Sequence, residues 1–170
     1  MNGASDPAER LARGIAREFR RRTLEEYVPR IAKCVSMLRE EQVWQRPNAV
    51  SNSVGNLLLH LEGNVRQWIL AGLGGEQDAR DRPAEFAATD APQTPAELVE
   101  RLRRTVTSAA ALLDGFGPGD LLAVHRFQDR YEESALAAVL HVIEHFSGHA
   151  GQIYAFTKQV TGEDLRFYDL

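Results

Sequence analysis

The stretch EESALAAVLHVIEHFSGHAGQIYAFTKQVT, residues 132–161, decides the fold of this 170-residue chain. Its apolar residues recur mostly at steps of three and four, a spacing that places side chains on one face of an α-helix. The pattern predicts one long amphipathic helix over about residues 132–161. Three histidines, His141, His145 and His149, follow the same helical spacing at intervals of four residues.

Three earlier segments, at about residues 8–41, about 53–73 and 94–113, carry the same helical pattern. The third begins with Thr94-Pro95-Ala96-Glu97, in which the threonine caps the helix and the glutamate can bond back to the cap amide. Four long amphipathic helices predict an all-α fold, a single-domain four-helix bundle over residues 1–170 with its core at about 10–161. The order of the helices in space stays open.

The connections between the helices differ in character. Residues 74–93 are polar, acidic and interrupted by prolines, which predicts a long loop between the second and third helices. Residues 43–50 are predicted to connect the first two helices, and Ser51 or Ser53 can cap the second. Residues 121–131 partly alternate between apolar and polar, which predicts a short irregular or hairpin segment before the last helix.

The composition excludes several classes of protein. The lone cysteine, Cys34, excludes an internal disulfide and a multi-cysteine metal site, so any metal must be held by His, Asp or Glu. No apolar run is long enough to cross a membrane, and the first ten residues lack the apolar core of a secretory signal. We therefore expect a cytoplasmic protein with no membrane partner. A net charge of −4, with arginine clusters offset by glutamates, predicts no nucleic-acid partner.

The helical positions of the histidines predict which of them can share one metal ion. Histidines four residues apart lie about 5–6 Å apart at Cβ, whereas the interval from His141 to His149 rises about 12 Å along the axis. Relative to the apolar face of the last helix, His149 lies about 90° away, His145 about 130° and His141 about 170°. We expect His145 and His149 to bind the ion and His141 to point outward. His60, about 100° from the centre of its own apolar face, can supply a third ligand.

Other side chains are predicted to lie near these histidines. Asn64 and Gln152 are candidate hydrogen-bond partners around the site, and Phe156 is a candidate wall of the metal groove. Cys34 is predicted to pack in the core rather than to act as a nucleophile. His125 is predicted to be an ordinary polar residue of the irregular segment.

Two stretches of the chain resemble a known family. NLLLHLEGN, residues 56–64, and HFSGHAGQI, residues 145–153, resemble the DinB-like family of metal-binding four-helix bundles, which includes YfiT-like proteins and bacillithiol- and mycothiol-dependent enzymes. The resemblance covers about residues 10–161, and within the family the chain is similar to an uncharacterised branch. It implies that His60, His145 and His149 are the metal ligands and that the protein is a homodimer.

The resemblance and the open three-histidine site together imply a function. We expect a divalent metal ion, Zn, Ni or Fe, and a metal-dependent transferase that activates a low-molecular-weight thiol toward an electrophilic substrate. Beyond the ligands, no catalytic residue is predicted. Two alternatives stay open. One is a hydrolase that uses metal-bound water on the same histidines. The other is a non-catalytic metal-binding or helical interaction protein, because no clear general base is present and histidines four residues apart on a helix also arise by chance.

Overall fold

A computed structural model of the protein describes residues 6–168, so the ends of the predicted domain, residues 1–5 and 169–170, lie outside the described residues. Helices dominate the chain, and one two-stranded antiparallel sheet interrupts them. In chain order the elements are α1 (Pro7–Arg20), a π-helical segment (Arg21–Tyr27), α2 (Val28–Ser36), α3 (Glu40–Trp44), α4 (Val54–Val65), a second π-helical segment (Arg66–Ala71), α5 (Arg82–Ala87), α6 (Pro95–Leu113), α7 (Pro118–Leu122), β1 (Val124–Phe127), β2 (Tyr131–Ser134) and α8 (Ala135–Thr161).

The long helical stretches pack around one hydrophobic core. α2 and α4 each pack against both α6 and α8, which settles the spatial order that the sequence left open. Large side chains with less than 2% exposure fill the space between them, including Phe19, Leu58, Leu102 and Phe146. Within the described residues, no helix combines the length and apolarity needed to cross a membrane.

Local capping signals mark the starts of α4 and α6 and the end of α8. Ser53 Oγ accepts the Asn56 N–H at 3.1 Å at the start of α4. Thr94 Oγ1 accepts the Glu97 N–H at 3.3 Å at the start of α6, which confirms the predicted cap. α8 ends at Thr161, and the next residue, Gly162, caps it with a left-handed φ of 71° that favours glycine.

The prediction of one regular helix over residues 8–41 is wrong about where the helix ends and about its regular α-helical bonding. The observed helical stretch ends at Ser36, where the N–H groups of Met37 and Leu38 bond to carbonyls three residues back and close the last turn. A π-helical segment precedes Pro29, whose nitrogen has no hydrogen to continue the regular helical bonding. α3 lies partly in the predicted 43–50 connection, and its Trp44 packs directly over Gly55 of α4, where a Cβ would come within 2.5 Å of the ring.

Two further boundaries differ from the prediction. The predicted loop over residues 74–93 contains α5, because Asp81 Oδ1 caps its start by accepting the Ala84 N–H at 3.0 Å. The predicted hairpin before the last helix is confirmed, with Phe127 opposite Tyr131 and Val124 opposite Ser134. The last helix therefore begins at Ala135 and not at 132, since residues 131–134 are paired as a strand.

Candidate metal centre

Three histidines from two helices converge beside the core. α4 supplies His60, α8 supplies His145 and His149, and one ring nitrogen of each lies within 4.8 Å of the other two. His60 Nε2 and His145 Nε2 are 2.9 Å apart, and the His60 and His149 rings are perpendicular with centroids 5.0 Å apart. His60 is 3% exposed, whereas the other two are partly buried. This group, the trio that the sequence predicted, could hold a metal ion.

The face that α8 buries explains this convergence and differs from the predicted one. Leu136 and Ile143, which belong to the apolar face predicted for this helix, are only partly buried, whereas Ala138 and Val142, which lie outside it, are fully buried. Because residues follow one another at about 100° around a helix, the buried face is turned by about 45° toward the histidines. Ala138 has a small side chain, which lets a neighbouring helix pack closely there. A prediction based on large apolar side chains does not identify such a position.

The prediction that His141 points outward is therefore wrong. His141 is partly buried, and its ring lies against Trp68 with centroids 4.2 Å apart. Its Nε2 lies 3.3 Å from Asn64 Nδ2. Asn64, predicted near the metal ligands, is thus a partner of His141, and both line the same cleft as His60 and His145.

A carboxylate that sequence reasoning missed holds His60. His60 Nδ1 lies 2.9 Å from Glu85 Oε2 of α5. Arg80 donates to Glu85 through Nε, at 2.7 Å from Oε1, and through Nη2, at 2.9 Å from Oε2. Arg80 Nη2 also lies 2.9 Å from His60 Nδ1, but the carboxylate is the acceptor beside that nitrogen. The Nδ1 proton of His60 therefore points to Glu85, and Nε2 keeps a free lone pair.

The sequence contains only a weak signal for this carboxylate. Asp81 followed by Pro83 is a helix-start pattern, which could have predicted α5 inside the loop. Nothing in the spacing pairs Glu85 with a histidine 25 residues earlier. Gly63 on α4 makes the close approach possible, because a Cβ there would overlap Glu85 Oε1 and lie 2.9 Å from Arg80 Nε.

The charge state of the group favours metal binding. Burial, helped by the neighbouring His149, His60, His141 and Arg80, lowers the pKa of His145 to about 3. Burial also lowers the pKa of His149, against an opposing hydrogen bond to Gln152. Both rings are thus neutral at pH 7, the state in which an imidazole can donate a lone pair to a metal.

Glu85 has the opposite charge state. Burial alone would raise its pKa, but the hydrogen bonds from His60 and Arg80 outweigh that effect and hold the pKa of Glu85 below its usual range. A full negative charge therefore lies next to the Nδ1–H of His60 at neutral pH. A carboxylate in this position orients a metal-ligating imidazole and increases its basicity.

The remaining predicted residues occupy different places. Gln152 Oε1 lies 2.8 Å from His149 Nδ1. Phe156 is 9% exposed and packs in the hydrophobic core, so its role at the metal stays a prediction. Cys34 is fully buried, and burial raises the pKa of its thiol, in keeping with the predicted packing role. His125 lies on β1 opposite Glu133, outside the three-histidine group.

The chain was compared with known proteins by sequence and by structure. None of the curated proteins compared is a significant match. A crystal structure of a DinB-like protein from Bacillus cereus ATCC 10987 is similar, with a TM-score of 0.62 and 19% identity over 80% of this chain and 87% of that chain, which shows a shared fold. Residues 21–162 match the family model described as mycothiol-S-transferase. Since that match spans most of the chain, the protein belongs to the mycothiol-S-transferase family, within the DinB-like group.

Proposed function

We propose that the protein is a metal-dependent S-transferase that activates a low-molecular-weight thiol and directs its sulfur at an electrophile. The observation that carries the proposal is the group of three imidazoles, His60, His145 and His149, whose ligating nitrogens lie within 4.8 Å of one another. The family to which the chain belongs supports the choice of thiol transfer over other metal-dependent reactions.

The donor set fits a divalent ion. The Nδ1 atoms of His60 and His149 face the acceptors Glu85 Oε2 and Gln152 Oε1, so each ring has its Nε2 free for a metal. Two nitrogens of a tetrahedral site, each about 2.1 Å from the metal, are about 3.4 Å apart. The 2.9 Å between His60 Nε2 and His145 Nε2 requires only a small side-chain rotation to reach that value. Zn, Ni and Fe all accept imidazole ligands.

The ligands also suit activation of a thiol. When bound there, a divalent ion supplies Lewis acidity, which lowers the pKa of a thiol and favours the nucleophilic thiolate. Imidazole is an uncharged ligand, so three of them would leave the charge of such an ion undiminished, and a three-ligand site would leave a coordination position for substrate. Glu85 and Arg80 hold His60 in one tautomer and one orientation.

The proposed transfer balances without an oxidant or reductant. The sulfur forms a bond to the electrophilic carbon, and the leaving group departs with the electron pair of the bond that breaks. The thiol proton passes to water. In this proposal, His60, His145 and His149 hold the metal ion, and Glu85 orients His60.

The first part of the test measures metal. Elemental analysis of the purified protein should find one equivalent of a divalent metal, and His60→Ala, His145→Ala and His149→Ala should each lose it. His125→Ala is the matched control, because His125 lies outside the group, and it should keep its metal. Equal metal content in all four variants would overturn the site.

The second part measures transfer. Metal-loaded protein is mixed with mycothiol or another small thiol and the chromogenic electrophile 4-fluoro-3-nitrobenzoate, and release of fluoride is followed. We expect a rate above that of the free metal, reduced at least about 100-fold in the three histidine variants. Stoichiometric metal with no such rate for any thiol would overturn the transferase proposal and leave a metal-binding protein.

A further inference from the structure

A cleft of about 630 Å³ opens beside the three convergent histidines. His60 and His145 form part of its wall, together with His141 and Asn64. Small-molecule sites commonly have volumes of about 300–1,000 Å³, so the cleft has room for a substrate in addition to a metal. The composition of its wall indicates what kind of substrate.

One part of the wall is a set of flat rings. Trp68 is 8% exposed, and its ring centroid lies 4.2 Å from that of His141. Phe127 also stacks on Trp68, with centroids 4.6 Å apart, so Trp68 is packed within the wall. Tyr131 of β2 lies 6.4 Å from Trp68, with 28° between the ring planes, and is 40% exposed. The exposed ring of Tyr131, backed by Trp68, offers a planar surface to a planar ligand, such as a conjugated or aromatic electrophile. The carbon chain of an aliphatic thiol has no such planarity.

A second part of the wall is positively charged. Arg82 and Arg130 both line the cleft, and among residues 6–168 neither forms an ion pair. Each guanidinium instead lies over an aromatic ring, Arg82 over Phe86 at 5.0 Å and Arg130 over Tyr131 at 5.4 Å. Arg80 differs because Glu85 neutralises it. Glu133 also lines the cleft, which leaves a net positive charge among these side chains.

A third feature is an unpartnered polar atom. Asn64 is 3% exposed, and its Oδ1 has no hydrogen-bond partner in the described part of the chain. Its Nδ2 faces His141 Nε2. A buried carbonyl oxygen without a partner is costly, and it is satisfied when a ligand brings an N–H or O–H group.

We infer that the cleft binds the electrophilic substrate and that this substrate is a planar molecule bearing a carboxylate. Arg82 and Arg130 bind the carboxylate, because a guanidinium pairs with it through two parallel hydrogen bonds. Tyr131 packs against the planar body. An N–H or O–H group on the natural substrate, which the nitrobenzoate probes lack, would also satisfy Asn64 Oδ1. The inference rests on the proposed transferase function, since the cleft borders the candidate metal ligands.

The test separates binding from transfer by using two unreactive probes of equal shape. 4-Nitrobenzoate and 4-nitrobenzamide differ in charge, and isothermal titration calorimetry measures their dissociation constants with metal-free and with zinc-loaded protein. We expect the benzoate to bind at least about tenfold more tightly than the amide in both forms. Equal affinity would overturn the inference. A preference that appears only with zinc would also overturn it, because the carboxylate would then be on the metal.

Variants identify the groups responsible. Arg82→Gln and Arg130→Gln should each weaken benzoate binding about three- to tenfold and leave amide binding unchanged. Arg104→Gln is the charge-matched control, because Arg104 is exposed on α6 and does not line the cleft. An equal loss in all three variants would mean that net charge alone attracts the probe, and the inference would fail.

Transfer then distinguishes this inference from the proposed function. In 4-fluoro-3-nitrobenzoate the thiolate sulfur bonds to the ring carbon, fluoride leaves with the C–F electrons, and the thiol proton passes to water. Transfer to the corresponding benzamide at the same kcat/KM would overturn the carboxylate preference and leave the transferase intact. Arginine-dependent benzoate binding without transfer to either compound would overturn the transferase and leave an anion-binding cleft.

Discussion

Glu62 and Glu85 are both buried carboxylates paired with arginine, and they serve different parts of the molecule. Glu62 on α4 is 3% exposed and accepts from Arg101 at 2.7 Å and from Thr105 Oγ1 at 2.9 Å, so it joins α4 to α6. Glu85 on α5 is 9% exposed and accepts from Arg80 and from His60.

The two glutamates differ in what their hydrogen-bond partners contact in turn. The arginine partners of Glu62 extend to the surface, where their side chains are 44% exposed. The imidazole partner of Glu85 has a second nitrogen that faces His145. The contacts of Glu85 therefore lead through His60 to a further histidine, whereas those of Glu62 lead through arginines to the surface.

The largest expected effect that separates the two carboxylates is on metal affinity. Glu85→Gln should weaken Zn²⁺ binding about 10- to 100-fold, because the Nδ1–H of His60 loses its negatively charged acceptor. Competition with a chromogenic chelator measures the dissociation constant.

Glu62→Gln is the matched control for that variant. It should leave the Zn²⁺ dissociation constant within about twofold, and both variants should lose about 1–2 kcal/mol of unfolding free energy, because each removes a charge-assisted acceptor from an arginine. Equal losses of Zn²⁺ affinity would show that Glu85 acts only through stability.

A glycine substitution tests the same comparison without touching a carboxylate. In Gly63→Ala the new Cβ would overlap Glu85 Oε1 and displace the Arg80–Glu85 pair from His60. We expect Zn²⁺ affinity to fall about tenfold and unfolding free energy to fall by about 1 kcal/mol.

Gly14→Ala controls for the change in helix propensity. A Cβ at Gly14 meets no atom within 4 Å among the described residues, so this variant should gain about 0.5–1 kcal/mol and keep its Zn²⁺ affinity. A gain in stability for Gly63→Ala would mean that Glu85 and Arg80 move aside at no cost, and it would contradict the view that they hold His60 in place.

The prediction that separates the two carboxylates least is the pH dependence of the metal-free protein. The pKa of His145 is about 3 in the folded protein against 6.5 for an ordinary histidine, because burial lowers it and the neighbours His149, His60, His141 and Arg80 lower it further. Below pH 6.5 the unfolded chain therefore takes up a proton that the folded protein does not, and folding loses stability as pH falls. The loss per histidine is below about 1.4 kcal/mol per pH unit.

Denaturant unfolding in the presence of a chelator measures this effect between pH 7 and pH 5. Glu85 contributes little in that window, because its pKa is lowered and its stabilisation is lost only under more acidic conditions. His145→Gln should lose less stability than the wild type over the same interval. An identical pH dependence in the two proteins would contradict the lowered pKa.

The helix starts at Ser53 and Thr94 and the hairpin before α8 were predictable because capping and turn signals act within a few residues. The end of the first helical stretch at Ser36 was not predictable from local signals, since α3 must pack against α4 with Trp44 over Gly55. The outward prediction for His141 failed for the same reason, because the buried face of α8 depends on its neighbours.

By itself, the sequence determined that His145 and His149 lie one turn apart on one helix and that histidines, with a single cysteine in the chain, are the available metal ligands. Both follow from local helical geometry and from composition. Only the tertiary structure decided that α5 brings Glu85 to His60 and that α8 turns His141 onto Trp68. These contacts join segments distant along the chain, and their geometry depends on how whole helices pack rather than on any local pattern.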